Sequence, residues 1–316
     1  MPLHPDVRAL LDRFERDGVR PYDQLTVLQA RAGIAAARRL QGEPTAVAHV
    51  HDILVDGADG RLPARVYRPD PGQPAPLVVY LHGGGFVGGG IAPADRPCRA
   101  LAAASGCVIV SVEYRLAPEN PHPAPLLDAV AATRWLAAHA ADLGGDPAQV
   151  VVMGDSAGGA LAAGVAIVLR DAGASPLAAQ LLLYPTLASP RDTDFASMTE
   201  NGEGFSMTRG ALTWFWDHLL AGPNAADGPP ASPLAVADLT GLPPALVVVA
   251  EFDPLRDEGI AYAERLALAG VDVRVHHVDG VIHGFWWMDA VLPQAGELTS
   301  YLAEVLPVSA AGGTIR

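Results

Sequence analysis

The stretch Val150–Gly159, VVVMGDSAGG, constrains this chain more than any other. Val150 to Met153 read as a short buried strand that runs directly into Gly154-Asp155-Ser156-Ala157-Gly158, after which small residues continue in a helix-compatible pattern. A G-x-S-x-G turn between strand and helix lifts a serine hydroxyl clear of a sheet. Glycines flank the serine because side chains in so tight a turn would collide with neighbouring backbone. Five residues gain meaning only from their surroundings, so the rest of the chain has to supply a sheet and the partners such a serine needs.

The sheet is legible in the alternation of apolar runs and helical segments. HVHDILVDGADGRLPARVYRP (49–69) reads as two strands joined by a DGADG turn. PLVVYLHGGGF (76–86) is an apolar run ending in glycines. Strands are then expected over 107–114, 150–153, 180–185, 245–255 and 271–278, with helices over 126–140, 157–169, 256–270 and 287–305 between and after them. Continuous apolar strands separated by helices predict a parallel sheet covered on both faces. The chain has 316 residues, 50% of them hydrophobic, which is ample for one large core.

Two segments fall outside the alternation. Residues 1–45 carry helical periodicity, with Val7, Leu10, Leu11 and Phe14 and then Leu25 and Leu28. Residues 186–240 are an insertion between two sheet strands that brings Phe205, Met207, Trp214, Phe215 and Trp216. The insertion reads as a helical cap over the carboxyl edge of the sheet, where ligands of such sheets bind. The expected division is cap helices in 1–45, core in 46–185, cap insertion in 186–240 and core again in 241–316.

A serine hydroxyl is a weak nucleophile and needs a general base, an orienting carboxylate and donors for the oxyanion. His82-Gly83-Gly84-Gly85 follows the strand LVVYL, and three consecutive glycines leave backbone N–H groups unobstructed. His82 is expected to brace its own loop. Among ten histidines, His283 in GVIHGFWW follows the last predicted strand, at the edge that carries Ser156. His276 and His277 lie too deep within that strand. For the acid, ALVVVAEFDPLRD offers Glu251, Asp253 and Asp257; Asp253 sits just past the strand end, where Pro254 turns the chain. Asp257 is the runner-up, better suited to the start of the following helix. Asp155 is adjacent to the serine and cannot reach around it to the base, so it is expected to be structural. The order Ser…Asp…His is that of α/β-hydrolases among serine-triad folds.

HGGGF (82–86), YRLAPE (114–119), GDSAGG (154–159), DPLRD (253–257) and HGF (283–285) together resemble the bacterial hormone-sensitive-lipase family of carboxylesterases, in the family's order and over essentially the whole chain. The resemblance implies an α/β-hydrolase fold with a mostly parallel eight-stranded sheet flanked by helices, and a cap built from the N-terminal helices and the insertion. It implies Ser156 as nucleophile, Asp253 as acid, His283 as base, and oxyanion donors from Ala157 and the glycine loop. Gly84 is favoured there, with Gly83 or Gly85 beside it. His122 stands where the family commonly has an aromatic.

The expected activity is hydrolysis of short- to medium-chain esters through an acyl-enzyme, with no metal or cofactor. Met207, Trp214, Phe215 and Trp286, with Trp287, are expected to crowd the acyl pocket. An amidase and a non-catalytic binding protein on the same scaffold are the rival readings; the presence of His283 disfavours the second. The formal charge of −14, with every basic residue an arginine or histidine, argues against nucleic acid and anionic membrane as partners. No apolar run reaches the roughly 18 residues of a membrane span. The charged N-terminal stretch lacks the apolar centre of a signal peptide, so a soluble cytoplasmic protein is expected. Cys98 and Cys107 are expected to be buried and unpaired. A monomer, or a homodimer through the C-terminal strand and helix (about 271–305), is expected from the relatives.

Overall fold

The computed structural model describes residues 2–70, 72, 74–173, 175–222 and 231–310. Helix α1 (Pro5–Arg16) and helix α2 (Val27–Ala36) precede the hairpin of β1 (His49–Gly57) and β2 (Gly60–Arg68). Strand β3 (Ala75–Leu81), helix α3 (Ile91–Ser105), strand β4 (Val108–Val112) and helix α4 (Ala124–Ala138) follow. Strand β5 (Gly145–Asp155) leads into helix α5 (Ala157–Asp171) and then strand β6 (Leu177–Leu183). The insertion contributes α6 (Ala196–Glu200) and α7 (Arg209–Leu220); the chain finishes with β7 (Ala245–Phe252), α8 (Arg256–Leu268), β8 (Val273–Ile282) and α9 (Pro293–Ala310).

The eight strands form one sheet in the order β1-β2-β4-β3-β5-β6-β7-β8. β1 and β2 pair antiparallel, as do β2 and β4; every other neighbouring pair is parallel. Leu77, Val79 and Leu81 of β3 enter the core on one face, while Val78 and Tyr80 enter it on the other. Both faces are therefore buried, which is why these strands are apolar throughout rather than alternating. Helices α4, α5 and α8 cover the first face, and α3 and α9 the second.

Several boundaries differ from the sequence expectation. The elbow strand begins at Gly145, not Val150, and slips register against β6 between Val150 and Val151. The final helix starts at Pro293, because Phe285–Trp287 form a separate 3-10 turn and proline suits the first turn of a helix. Strand β8 continues to Ile282; it lies at the sheet edge and shows alternating exposure until its last three residues.

The first 45 residues meet the rest of the molecule at separate places. The His4 N–H donates to the Gly280 carbonyl at 2.9 Å, and Val7 and Leu10 are buried beside β8, so α1 is tied to the sheet edge. Burial of each such side chain contributes about 1.5–3 kcal/mol, enough to seat a short helix. The segment from Tyr22 through α2 reaches the glycine loop and α7: Tyr22 packs on Phe215 at 5.1 Å and Arg31 donates to the Val87 carbonyl. Of the Pro/Ala/Gly-rich end of the insertion, residues 223–230 lie outside the described residues. Both cysteines are buried and unpaired.

Candidate active site

Ser156 occupies the turn between β5 and α5 with φ +54° and ψ −119°, a conformation that non-glycine residues seldom adopt. Backbone bonds hold it there. Its N–H donates to the Leu183 carbonyl at 2.8 Å, and its own carbonyl accepts from Ala160 at 3.1 Å and from Thr186 at 3.3 Å. A Cβ on Gly158 would stand 1.9 Å from the Leu81 carbonyl oxygen, so glycine there is required for the helix to start against β3. The GxSxG glycine is a packing requirement as much as a turn requirement.

Two other strand ends deliver the partners. β7 stops at Phe252, and Asp253 follows, fully buried; its Oδ1 accepts the Leu255 N–H at 2.8 Å. β8 stops at Ile282, and His283 follows, held by a left-handed Gly284. Asp253 Oδ2 lies 2.7 Å from His283 Nδ1, and His283 Nε2 lies 2.9 Å from Ser156 Oγ. A carboxylate can only accept, so these partners place the proton on Nδ1 and leave Nε2 as the acceptor for the serine hydroxyl. His283 and Ser156 each retain about 7% exposure, which leaves the serine oxygen reachable but poorly hydrated.

The glycine loop lies across the elbow. Asp155 Oδ1 accepts the Gly83 N–H at 2.8 Å and the Tyr80 hydroxyl at 2.5 Å. That commits the Gly83 amide and removes Gly83 from the expected oxyanion donors. The amides of Gly84, Gly85 and Ala157 have no acceptor among the described residues, and Ala157 opens α5, where the helix dipole favours negative charge. Burial pushes the Asp155 carboxyl up to about 6, against the opposing pull of the Tyr80 hydroxyl and the Gly83 amide. His82 braces the loop as expected: its Nδ1 meets the Gly83 carbonyl at 2.8 Å and its ring stacks on Tyr114 at 4.3 Å. Burial lowers its pKa, so it stays neutral.

The expected pocket residues separate. Phe215 of α7 stands directly over the loop: a Cβ on Gly85 would meet its ring at 2.2 Å. Trp214 is half-buried beside it, edge-on to Phe215 at 5.1 Å. Met207 packs with Met198 and Leu212 of the insertion and with Leu255, two residues past Asp253. Trp286 is 1% exposed, packs edge-on to Tyr80 at 5.9 Å in the cluster that also holds Phe215, and donates from its indole to Thr299 at 2.9 Å. Trp287 belongs to the same cluster.

The remaining acids and histidines have other partners. Asp257 accepts from the Ser197 N–H at 2.8 Å and pairs with Arg256 at 2.7 Å, linking α8 to α6. Glu251 accepts the Gly280 N–H at 2.7 Å. His276 stacks on Tyr301 at 3.9 Å, and His277 is exposed beside Asp279. Among the described residues no group of three or more His, Cys, Asp or Glu side chains is placed to hold a metal ion.

Thr186 and Arg31 are not legible in the sequence, and Trp216 is legible only as one of the insertion's aromatics. Thr186 bridges the Ser156 carbonyl to α7, accepting the Trp216 indole N–H at 2.9 Å, and Trp216 in turn packs edge-on to Phe86 at 5.6 Å. None of them sits in a motif; each acts through a contact between distant segments. A small pocket opens beside Phe86, lined by Leu126, Ala160, Leu161, Leu219 and His122 among others.

Comparison with known proteins agrees with this geometry. Residues 78–287 match the Abhydrolase_3 family, described by its alpha/beta hydrolase fold. The chain is 42% identical over 278 residues to the esterase LipI of Mycobacterium tuberculosis, covering 85% of this chain and 86% of that one. It is 36% identical over 319 residues to an ethyl acetate hydrolase of Pseudomonas putida, covering 97% and 99%. An esterase structure from Pyrobaculum calidifontis superposes with a TM-score of 0.89 at 39% identity, covering 97% of this chain and 98% of that one. No helix among the described residues is long and apolar enough to cross a membrane.

Proposed function

The chain belongs to the hormone-sensitive-lipase-like Abhydrolase_3 family of α/β hydrolases and is a carboxylic ester hydrolase, and on that premise we propose that it works through an acyl-enzyme on Ser156 and prefers short acyl chains. The observation that carries the reading is the relay Asp253–His283–Ser156, with separations of 2.7 and 2.9 Å.

In this mechanism Ser156 Oγ attacks the ester carbonyl while its proton passes to His283 Nε2. Asp253 keeps the imidazole in the tautomer that can accept and stabilises the imidazolium that forms. The tetrahedral oxyanion is taken by the amides of Gly84, Gly85 and Ala157, whose hydrogens need no rearrangement to meet it. His283 then gives the proton to the departing alkoxide oxygen, and the alcohol leaves. A water enters, loses a proton to His283 and attacks the acyl carbon; the acid departs and the serine hydroxyl is restored.

The closing of Phe215 over Gly85 supports the short-chain reading, because it takes up space directly above the oxyanion donors. The test is hydrolysis of p-nitrophenyl esters from acetyl to palmitoyl by the wild type and by Ser156→Ala. Turnover concentrated at acetyl to hexanoyl and lost in the variant supports the proposal. An optimum at decanoyl or beyond overturns the chain-length part, and turnover retained by Ser156→Ala overturns the nucleophile.

A further inference from the structure

The glycine loop is fastened at its two ends by different parts of the molecule. At its start, Gly83 is held by Asp155, next to the nucleophile. At its end, the Val87 carbonyl accepts Arg31 Nε at 2.8 Å, and Arg31 belongs to α2, outside the sheet. The same guanidinium donates to the Ala117 carbonyl at 3.1 Å and pairs with both Glu119 oxygens, at 2.8 and 2.5 Å. Ala117 closes the circuit, since its N–H donates to the Phe86 carbonyl at 2.9 Å. Within the loop, the Gly84 carbonyl accepts from Val87 at 3.2 Å and from Gly88 at 2.9 Å. Ile34, one turn beyond Arg31, presses on Gly88 so closely that a Cβ there would meet its terminal methyl at 2.6 Å.

We propose that Arg31 is a positioning residue for ester hydrolysis: it sets the Gly84 and Gly85 amides from outside the core, so that seating α2 and assembling the oxyanion hole are one event. The inference rests on the acyl-enzyme reading above. Two features separate this role from ordinary helix docking. The guanidinium makes four hydrogen bonds from its three nitrogens, to the Val87 carbonyl of the loop, the Ala117 carbonyl and both Glu119 oxygens, a planar fork that an ammonium cannot reproduce. The bond to Val87 also falls two residues beyond Gly85, in the turn that the Gly84 carbonyl closes by accepting from Val87 and Gly88.

Misplaced donors act on the transition state rather than on substrate binding, so the loss appears in kcat. Removal of a whole oxyanion donor costs about 10²–10³ in kcat. Displacing two without removing them is expected to cost Arg31→Ala about 10- to 100-fold in kcat, with KM for p-nitrophenyl acetate within about threefold of wild type. Arg31→Lys is expected to recover little of it, and added guanidinium ion to restore part of the Arg31→Ala activity at millimolar concentrations that leave the wild type unchanged. Circular dichroism and a thermal melt on each variant establish that the protein measured is folded.

An unchanged kcat in folded Arg31→Ala overturns the inference, as does a loss carried wholly by KM. If Arg31→Ala does not fold, Arg31→Lys decides: a folded lysine variant with wild-type kcat overturns the inference, and one with reduced kcat at unchanged KM supports it. Absence of ester hydrolysis by the wild type itself would be a failure of the acyl-enzyme reading, distinct from either result.

Discussion

Asp155 and Gly83 are joined by a 2.8 Å hydrogen bond from the loop amide to the carboxylate, so the residue beside the nucleophile fixes the loop that faces it. Elbow and glycine loop lie 72 residues apart in the chain, and this bond makes them one rigid piece. The Tyr80 hydroxyl shares the same oxygen, at 2.5 Å, and sits at the end of the strand from which the loop departs.

The clamp predicts a contrast between two substitutions. Asp155→Asn keeps an oxygen that accepts from both Gly83 and Tyr80, and kcat should stay within about tenfold of wild type. Asp155→Ala removes the acceptor, leaves a buried amide and hydroxyl unpaired at about 1–3 kcal/mol each, and should lower kcat by a further order of magnitude or more. Steady-state kinetics on p-nitrophenyl acetate measures both; equal losses in the two variants would sink the clamp.

A second prediction concerns stability and pH. The Asp155 carboxyl is raised to about 6 in the folded protein, whereas an unfolded aspartate titrates near about 3.9. Between those values the folded state holds the extra proton, so this group's contribution is full below about pH 4 and is lost as pH rises through about 6. The amount lost is on the order of 3 kcal/mol. Asparagine does not titrate, so the stability of Asp155→Asn relative to wild type should rise from pH 4 to pH 6.5 and then level off. Denaturant midpoints across that range test it, and a difference that stays flat or falls refutes the sign.

Within the relay, Asp253→Asn should leave the fold intact and cut kcat by up to about 10⁴, because the neutral amide lets the imidazole turn to the wrong tautomer. Asp257→Asn should cost far less than tenfold, since Asp257 is occupied by Ser197 and Arg256. The ratio of the two kcat values is the measurement, and a larger loss in Asp257→Asn would move the acid.

Phe215 and Trp286 should part company in chain-length experiments. Phe215→Ala opens space over Gly85 and should move the acyl optimum toward longer chains, at a stability cost of about 3–5 kcal/mol. Trp286→Phe removes the indole bond to Thr299 of α9 and should lower the melting temperature while leaving the chain-length profile as in wild type. The p-nitrophenyl series on both variants checks this, and an altered profile in Trp286→Phe would return that residue to the pocket.

The sequence by itself determined what depends on neighbours along the chain. The run VVVMGDSAGG dictates a buried strand, a turn too tight for side chains and a helix of small residues, and the structure has each of these at β5, Ser156 and α5. His283 and Asp253 were readable for the same reason: each follows the end of an apolar strand, and parallel strands in one sheet bring their ends to a common edge. Tertiary structure decided what depends on which distant segments meet. Three glycines in a row look alike as donors until Asp155, fixed across the sheet by Tyr80, takes the amide of Gly83 and leaves those of Gly84 and Gly85. Trp286 adjoins the histidine loop, and only the packing of α9 shows that its indole N–H is taken by Thr299 and its ring by Tyr80. Arg31 lies in a helix of unremarkable sequence, and only the packing of α2 on the glycine loop brings its guanidinium to Val87 and Glu119. Local pattern fixes backbone shape and strand ends; side-chain reach across the sheet is set by packing, which no local pattern encodes.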